Sequence, residues 1–347
     1  MHKTILCLDI GSGTQDGLLY IPGERLENCP KFVLPSPAKR IAHQLNELAG
    51  MRPEGIYLYG HNMGGGIGGA VRSCLQQEIP LAAHPEAALT LADNPERVIG
   101  MGITLAEQCP SGYLSVLLSD FEPGFWRTFL ASIQLSYPTL FACCVQDHGN
   151  HPGMSNRMGR FNLWKRFLQE GKGRLDYLIY EQPPKELTRL ASLRQCMGGG
   201  VVCDSGAAAV LGVLFMPEVR ELSMREGIMV VNIGNSHTVA FLVFDERIWG
   251  VYEHHTGLLD GEQLNSDLDR FRSGSLTFED VFEANGHGCM NLETPVQAAG
   301  FKTTYVIGPR RDMLDGYPVV FPAPGGDMML AGSFGLLQAL ELKGLLA

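Results

Sequence analysis

The sequence predicts an α/β protein built as two domains of related design. Three observations carry that expectation. Strand-like and helix-like runs alternate over all 347 residues, the pattern of an α/β architecture. A chain of that length, at about 150 residues per domain, points to two cores. The chain also opens twice in the same way, with an apolar run, a polar residue, a small-residue turn and a second apolar run. LCLDIGSGTQDGLLY does this from Leu6, and IMVVNIGNSHTVAFLVF from Ile228. Pattern and glycine placement recur between the two; residue identity does not.

In order, TILCLDI and GLLYI read as a first hairpin and KFVLP as its third strand. Pro37–Ala49 reads as a helix and Gly55–Gly60 as a buried strand, followed by a glycine-rich mixed segment over Gly64–Pro110. LSVLLSDF, TLFACCVQDHG, LDYLIYE and GVVCD read as strands, with helices around Phe125–Leu135 and Asn162–Glu170 between them. Ala207–Phe215 is a helix of small residues. After Met216 the second strand–turn–strand begins, with a third strand behind it; TTYVIGP, a turn at Pro324–Gly326 and the helix Leu330–Leu342 close the chain. Domain I is expected over residues 1–216, with an inserted subdomain at about 61–112 and the last helix, 330–347, packed back on it. Domain II is expected over 217–329.

Composition narrows the function classes. Hydrophobic residues are 45% and charged ones 18% of the chain, enough apolar material for a large core and against wholesale disorder. The 27 basic and 37 acidic residues give a net charge of −10 without a dense Lys/Arg block. That argues against nucleic acid and anionic membrane as partners, since both need clustered cations. The start MHKTILCLDIG reads as a strand, not a signal peptide, and no apolar run reaches the roughly 18 residues of a membrane helix. A cytoplasmic protein is the expectation. Nine irregularly spaced cysteines do not form a disulfide pattern, and Cys7, Cys143, Cys144 and Cys203 read as reduced core thiols. The 42 glycines cluster at Gly11–Gly13, Gly64–Gly69, Gly198–Gly200 and Gly325–Gly326, where backbone must turn tightly or approach a ligand.

Four stretches, in one order, resemble the actin, heat-shock chaperone and sugar kinase superfamily. LDIGSGTQD resembles its first phosphate-binding hairpin. VVCDSGAAAVLGVL is similar to the strand and alanine-rich helix that carry a catalytic carboxylate there. The segment from Val231 to Phe271 resembles the second phosphate loop, and YVIGPRRDML with APGGDMMLAGSFGLLQAL the adenosine turn and final helix. Each is weak alone; the ordered set is much stronger. The resemblance implies two actin-like (ribonuclease H-like) domains around a nucleotide cleft holding ATP and Mg2+. Backbone amides of Gly11, Ser12, Gly13, Gly234, Asn235 and Ser236 would cradle phosphate, with hydroxyls from Thr14 and Thr238 and further cofactor contacts from Gly308, Gly325 and Gly326. Asp9 would be the metal ligand, usually through water, and Asp204 the candidate catalytic base. An Asp at a strand end is ordinarily a turn residue and an Asp before a helix ordinarily an N-cap. Asn232 departs from the family, which has aspartate there, and an amide supplies no charge to hold magnesium.

VQDHGNHPGMSNRMGRF places Asp147, His148, His151, Asn156 and Arg157 in one polar loop after a buried strand. Substrate binding in the cleft is the expectation for it, weighed against a hydrogen-bonded loop and against a metal. His61, His254 and His255 are similar in kind. Cys196 and Cys203 do not match the cluster-binding pair of 2-hydroxyacyl-CoA dehydratase activators, so an iron–sulfur cluster is not expected. Over nearly the whole length the chain also resembles a prokaryotic branch often labelled pyruvate formate-lyase activating enzyme. That label implies a C-x-x-x-C-x-x-C triplet, which this sequence lacks.

The functional expectation is an ATP- and Mg2+-dependent phosphotransferase or ATPase acting on an unidentified small molecule or protein, and not a radical enzyme. One alternative is a nucleotide-binding sensor with little turnover, prompted by Asn232. The other is an ATP-dependent iron–sulfur activator of a partner enzyme. Homodimer formation is left open.

Overall fold

The structure, a computed structural model, describes residues 4–151 and 153–346. Residues 1–3, 152 and 347, which the expected domain limits and polar loop include, lie outside them. The chain begins with an antiparallel meander of β1 (Ile5–Ile10), β2 (Thr14–Tyr20) and β3 (Lys31–Pro35). β1 is apolar towards both faces: Ile5 and Cys7 enter one buried cluster, Leu6 and Leu8 another. A strand covered on both sides reads as a near-continuous apolar run, as this one does.

The chain then leaves through the helix Pro37–Gly50, whose Ser36 hydroxyl caps it by accepting from Lys39 N–H. It builds a separate parallel sheet, β4 (Ile56–Gly60), β5 (Leu81–Ala83), β6 (Ile103–Leu105) and β7 (Leu114–Leu118), in the order β6-β5-β4-β7. This sheet therefore draws on strands outside residues 61–112, and it has its own apolar core.

Returning, β8 (Leu140–Val145) and β10 (Val201–Asp204) extend the first sheet in parallel, with β9 (Ile179–Tyr180) at its edge, giving β3-β2-β1-β8-β10-β9. LDYLIYE is mostly a 3-10 turn over Leu175–Leu178, and only Ile179 and Tyr180 pair as strand. The helix predicted from Asn162 begins earlier, at Asn156, because Ser155 caps it by accepting from Met158 N–H. Asn156 and Arg157 therefore lie in a first helical turn and not in a loop.

The second half repeats the plan. β11 (Ile228–Ile233), β12 (His237–Phe244) and β13 (Arg247–His255) form a meander, β14 (Gly288–Asn291) adds an edge, and β15 (Thr303–Ile307) joins β11 in parallel. The six-stranded and five-stranded sheets are thus each built on a three-strand antiparallel meander whose first strand accepts a parallel partner. This strand order is the one that the resemblance to actin-like, ribonuclease H-like domains implies.

The helices Ser205–Leu214 and Ala331–Leu342 are buried almost all round and share one apolar cluster with both sheets. They approach backbone to backbone: a Cβ on Gly212 would overlap the Ala331 carbonyl, and one on Gly335 the Ala208 carbonyl. Among the described residues no helix is long and apolar enough to cross a membrane.

Candidate functional site

The two meanders aim equivalent turns at one another. Gly11 N–H donates to the Thr14 carbonyl at 2.9 Å, and Gly234 N–H donates to the His237 carbonyl at 2.9 Å. The tips meet where Ser12 Oγ and Ser236 Oγ lie 3.1 Å apart. Below them opens a cleft of about 500 Å3, within the ordinary range for small-molecule sites.

Of the residues singled out from sequence, Asp9, Gly11, Ser12, Thr14, Asn232, Gly234, Asn235, Ser236 and Gly308 line this cleft, as do Asp147, His148 and Asn156. Others lie away from its wall. Thr238 is buried against the Thr256 hydroxyl at 3.0 Å. Gly13 faces the Asn235 side chain, and Gly325, at φ +58°, lies over the Phe334 ring, where a Cβ would not fit. Gly326 follows it in the same turn, again at positive φ. His151 shares a hydrogen bond with the His148 carbonyl at 2.9 Å. Arg157 donates to the carbonyls of Phe282 and Gly286, at 2.9 and 2.8 Å, and so fastens the helix of one half to a loop of the other.

Asp204 is buried and committed. Its carboxylate accepts from Arg160 Nη1 at 2.7 Å and Nη2 at 3.3 Å, and from Gly206 N–H at 2.9 Å as the helix cap. Asp147 likewise accepts from Gly149 and Leu190 amides, at 2.8 and 2.9 Å, and holds the turn that presents His148. His61 pairs with Glu86 at 2.8 Å, and His254 Nδ1 sits 3.1 Å from the His255 carbonyl.

Asp16 was not singled out, although it faces the cleft. It lies directly opposite Asp9 in the β1–β2 register. The signal was in the sequence: two carboxylates flanking a tight hairpin turn fall opposite one another when the strands pair. The second hairpin puts Asn232 opposite Val239 at the matching position, so the negative charge is one-sided. Burial pushes Asp9 up to about 6, Cys144 Sγ–H to Oδ1 at 3.2 Å opposes this, and the Asp204 charge adds to it. Burial, then the Asp9 charge, pushes Asp16 up to about 8, against the Thr14 hydroxyl bond at 3.1 Å. Asp16 Oδ1 is buried without a hydrogen-bond partner among the described residues. Asp9 and Asp16, facing each other in register with one oxygen unsatisfied, could hold a hard divalent cation. Gly332 makes room for Asp9, since a Cβ there would overlap its carboxylate.

Distant pairings supply the rest, and no local pattern shows them. Arg189 donates to both Asp120 oxygens, at 2.7 and 3.0 Å, and to the Gln146 carbonyl at 2.8 Å, forming one wall. Arg160 bridges Asp204 to Glu253, with Nε to Oε2 at 3.0 Å. Burial alone would raise the Glu253 carboxyl, but the Arg160 charge foremost holds it well below the usual range. The imidazoles of His148, His237 and His287 gather over Glu253.

Against solved structures, the chain is similar to three proteins at low identity. The activator of the 2-hydroxyisocaproyl-CoA dehydratase from Clostridium difficile, with bound ADPNP, is 10% identical, with 99% of this chain and 98% of that chain covered at a TM-score of 0.33. Ethanolamine utilization protein EutJ from Carboxydothermus hydrogenoformans is 11% identical, with coverage of 98% and 89% at 0.32. The ROK hexokinase from Thermus thermophilus is 13% identical, with coverage of 98% and 99% at 0.32. No curated protein matches the chain. A family model does match, over residues 63–313, and its description reads "Putative pyruvate format-lyase activating enzyme (DUF1786)". The span takes in the Gly234–His237 turn, the Arg160 bridge and the histidine cluster, and the chain belongs to the DUF1786 family.

Proposed function

We propose that the cleft binds ATP with Mg2+ and transfers or hydrolyses its terminal phosphoryl group. The observation that carries this is the pair of equivalent turns, Gly11–Thr14 and Gly234–His237, facing each other at Ser12 and Ser236. Glycine-containing turns leave amides accessible and close approach open, which is what phosphate oxygens require. Asp9 and Asp16 would hold the ion, which when bound neutralises charge on the transferring group. Gly308, whose positive φ lets the chain pass over Asn232, would meet the nucleoside side.

Asp204 enters this reading differently from a free base. With its carboxylate on Arg160, it would hold that guanidinium, which Glu253 shares, at the cleft wall and cap the helix beneath the phosphate turns. The acceptor is an unidentified small molecule or protein.

A second reading is a nucleotide sensor that turns over slowly. It is favoured by the one-sided charge, since Asn232 faces Val239 where the first hairpin has two carboxylates. Multiple-turnover phosphate release separates the two, run with ATP and Mg2+ and with mixed small-molecule acceptors. Sustained release above one equivalent supports the enzyme; binding with release stopping at one equivalent or less supports the sensor.

A further inference from the structure

We propose that His148, His237, Glu253 and His287 form a binding site for one first-row divalent transition cation of the zinc class in the wall of the cleft. One donor atom from each lies within 4.8 Å of the others. Zinc held tetrahedrally at about 2.1 Å keeps its donors roughly 3.4 Å apart, and Nε2 of His148 and Nε2 of His237 are 3.4 Å apart.

The fold builds this cluster from four places. His148 follows β8, His237 opens β12, Glu253 lies on β13 and His287 precedes β14. His237 pairs directly with His255, and Glu253 is two residues from His255, so period-two alternation puts all three on one sheet face. Glu253 also pairs with Gly288, which brings His287 alongside. Arg157, through the Gly286 carbonyl, holds the backbone that presents His287.

The bland alternative is a hydrogen-bonded histidine stack. Among the described residues its ring-to-ring bonding is one long contact, His148 to His237, and Nδ1 of His287 is buried without a partner. Buried polar atoms are ordinarily satisfied. The charge balance points the same way. Arg160 serves two buried carboxylates, Asp204 and Glu253, which leaves one negative charge beneath the imidazoles.

Glu253 has capacity left. Its Oε2 accepts from Trp164 Nε1 at 2.5 Å and Arg160 Nε at 3.0 Å, and its Oε1 from Gln146 Nε2 at 2.6 Å. Of about four lone-pair sites on a carboxylate, the one remaining is on Oε1. The same three donors fix the carboxylate's orientation, as partners of metal ligands do. Three imidazoles and one carboxylate suit zinc and its neighbours, not magnesium or calcium. His148 and His237 line the cleft, so the ion would sit in its wall with all four tetrahedral positions taken by the protein. The site does not depend on nucleotide binding.

The test is to strip the full-length protein with a chelator, return Co2+ alone followed by visible absorption, and then compete with Zn2+. One equivalent of Co2+ with the intense visible bands of a low-coordinate site, displaced by Zn2+, is expected, with a Zn2+-dependent rise in melting temperature. His148→Gln and His237→Gln should each weaken Co2+ by more than about tenfold. His151→Gln and His255→Gln, outside the donor set, should bind within about twofold of wild type. Folded wild-type protein that takes up neither ion at micromolar concentration overturns the proposal, as does undiminished binding by His148→Gln. Should His237→Gln fail to fold, the wild-type titration and His148→Gln decide.

Discussion

Asp9 and Asp16 stand opposite each other across the first hairpin, one on β1 and one on β2, with their carboxylates turned into the same cleft. Two buried carboxylates at that separation repel, and their ionised forms are stabilised by a divalent cation. Asp9→Asn and Asp16→Asn keep shape and remove charge. Each should weaken Mg-ATP binding by about tenfold to a hundredfold, the worth of a charge-assisted contact of roughly 1.5–3 kcal/mol. Metal-free nucleotide binding should change far less. Titration calorimetry with and without magnesium reads both.

The pH dependence of stability follows from the same pair and the histidines. Asp16 is raised to about 8 and Asp9 to about 6 from 3.8, so the folded protein holds protons that the unfolded chain releases. Their contribution is lost as pH rises from about 4 to 8. His237 and His287 are lowered to about 4 and about 3 from 6.5, so their contribution is lost as pH falls below 6.5. Metal-free protein should therefore lose stability from pH 6.5 to 8, and saturating Mg2+ or Asp16→Asn should flatten that fall. Denaturant unfolding across this range measures it. A fall that persists unchanged in Asp16→Asn rules out this assignment.

Asn232→Asp restores a carboxylate on the second hairpin. It should tighten the magnesium dependence of nucleotide binding, and on the phosphotransferase reading raise phosphate release. An unchanged magnesium dependence would mean that the second turn lies beyond reach of the ion.

Gly335→Ala tests the packing beneath the cleft. Alanine favours a helix over glycine by about 1 kcal/mol, but here its Cβ would overlap the Ala208 carbonyl on the facing helix. Backbone cannot yield as a side chain can, so overpacking should win, with a net loss of roughly 1–3 kcal/mol. Chemical denaturation gives the sign directly.

What was legible from sequence was what repeats or alternates locally. The apolar runs of β1 and β11, each ending at a small-residue turn, located both hairpins, and the alanine-rich run located the helix Ser205–Leu214. The Arg160 bridge was not legible, because its partners lie 44 and 93 residues away. The gathering of His148 with His237 and His287 depends in the same way on the pairing of β12, β13 and β14. Asn156 reads as loop from the sequence because the capping role of Ser155 needs the backbone to be seen. LDYLIYE was read as a strand because its apolar content fits either a strand or a tight turn packed on the core.

The central claim is a magnesium-dependent nucleotide cleft, and calorimetric titration of wild-type protein with ATP at pH 7, with and without Mg2+, tests it most directly. In buffers of different ionisation enthalpy, the account predicts tighter binding with Mg2+ and a release of protons on its addition, since Asp16 at about 8 is largely protonated beforehand. Folded protein that binds no ATP at millimolar concentration, with or without Mg2+, would contradict it.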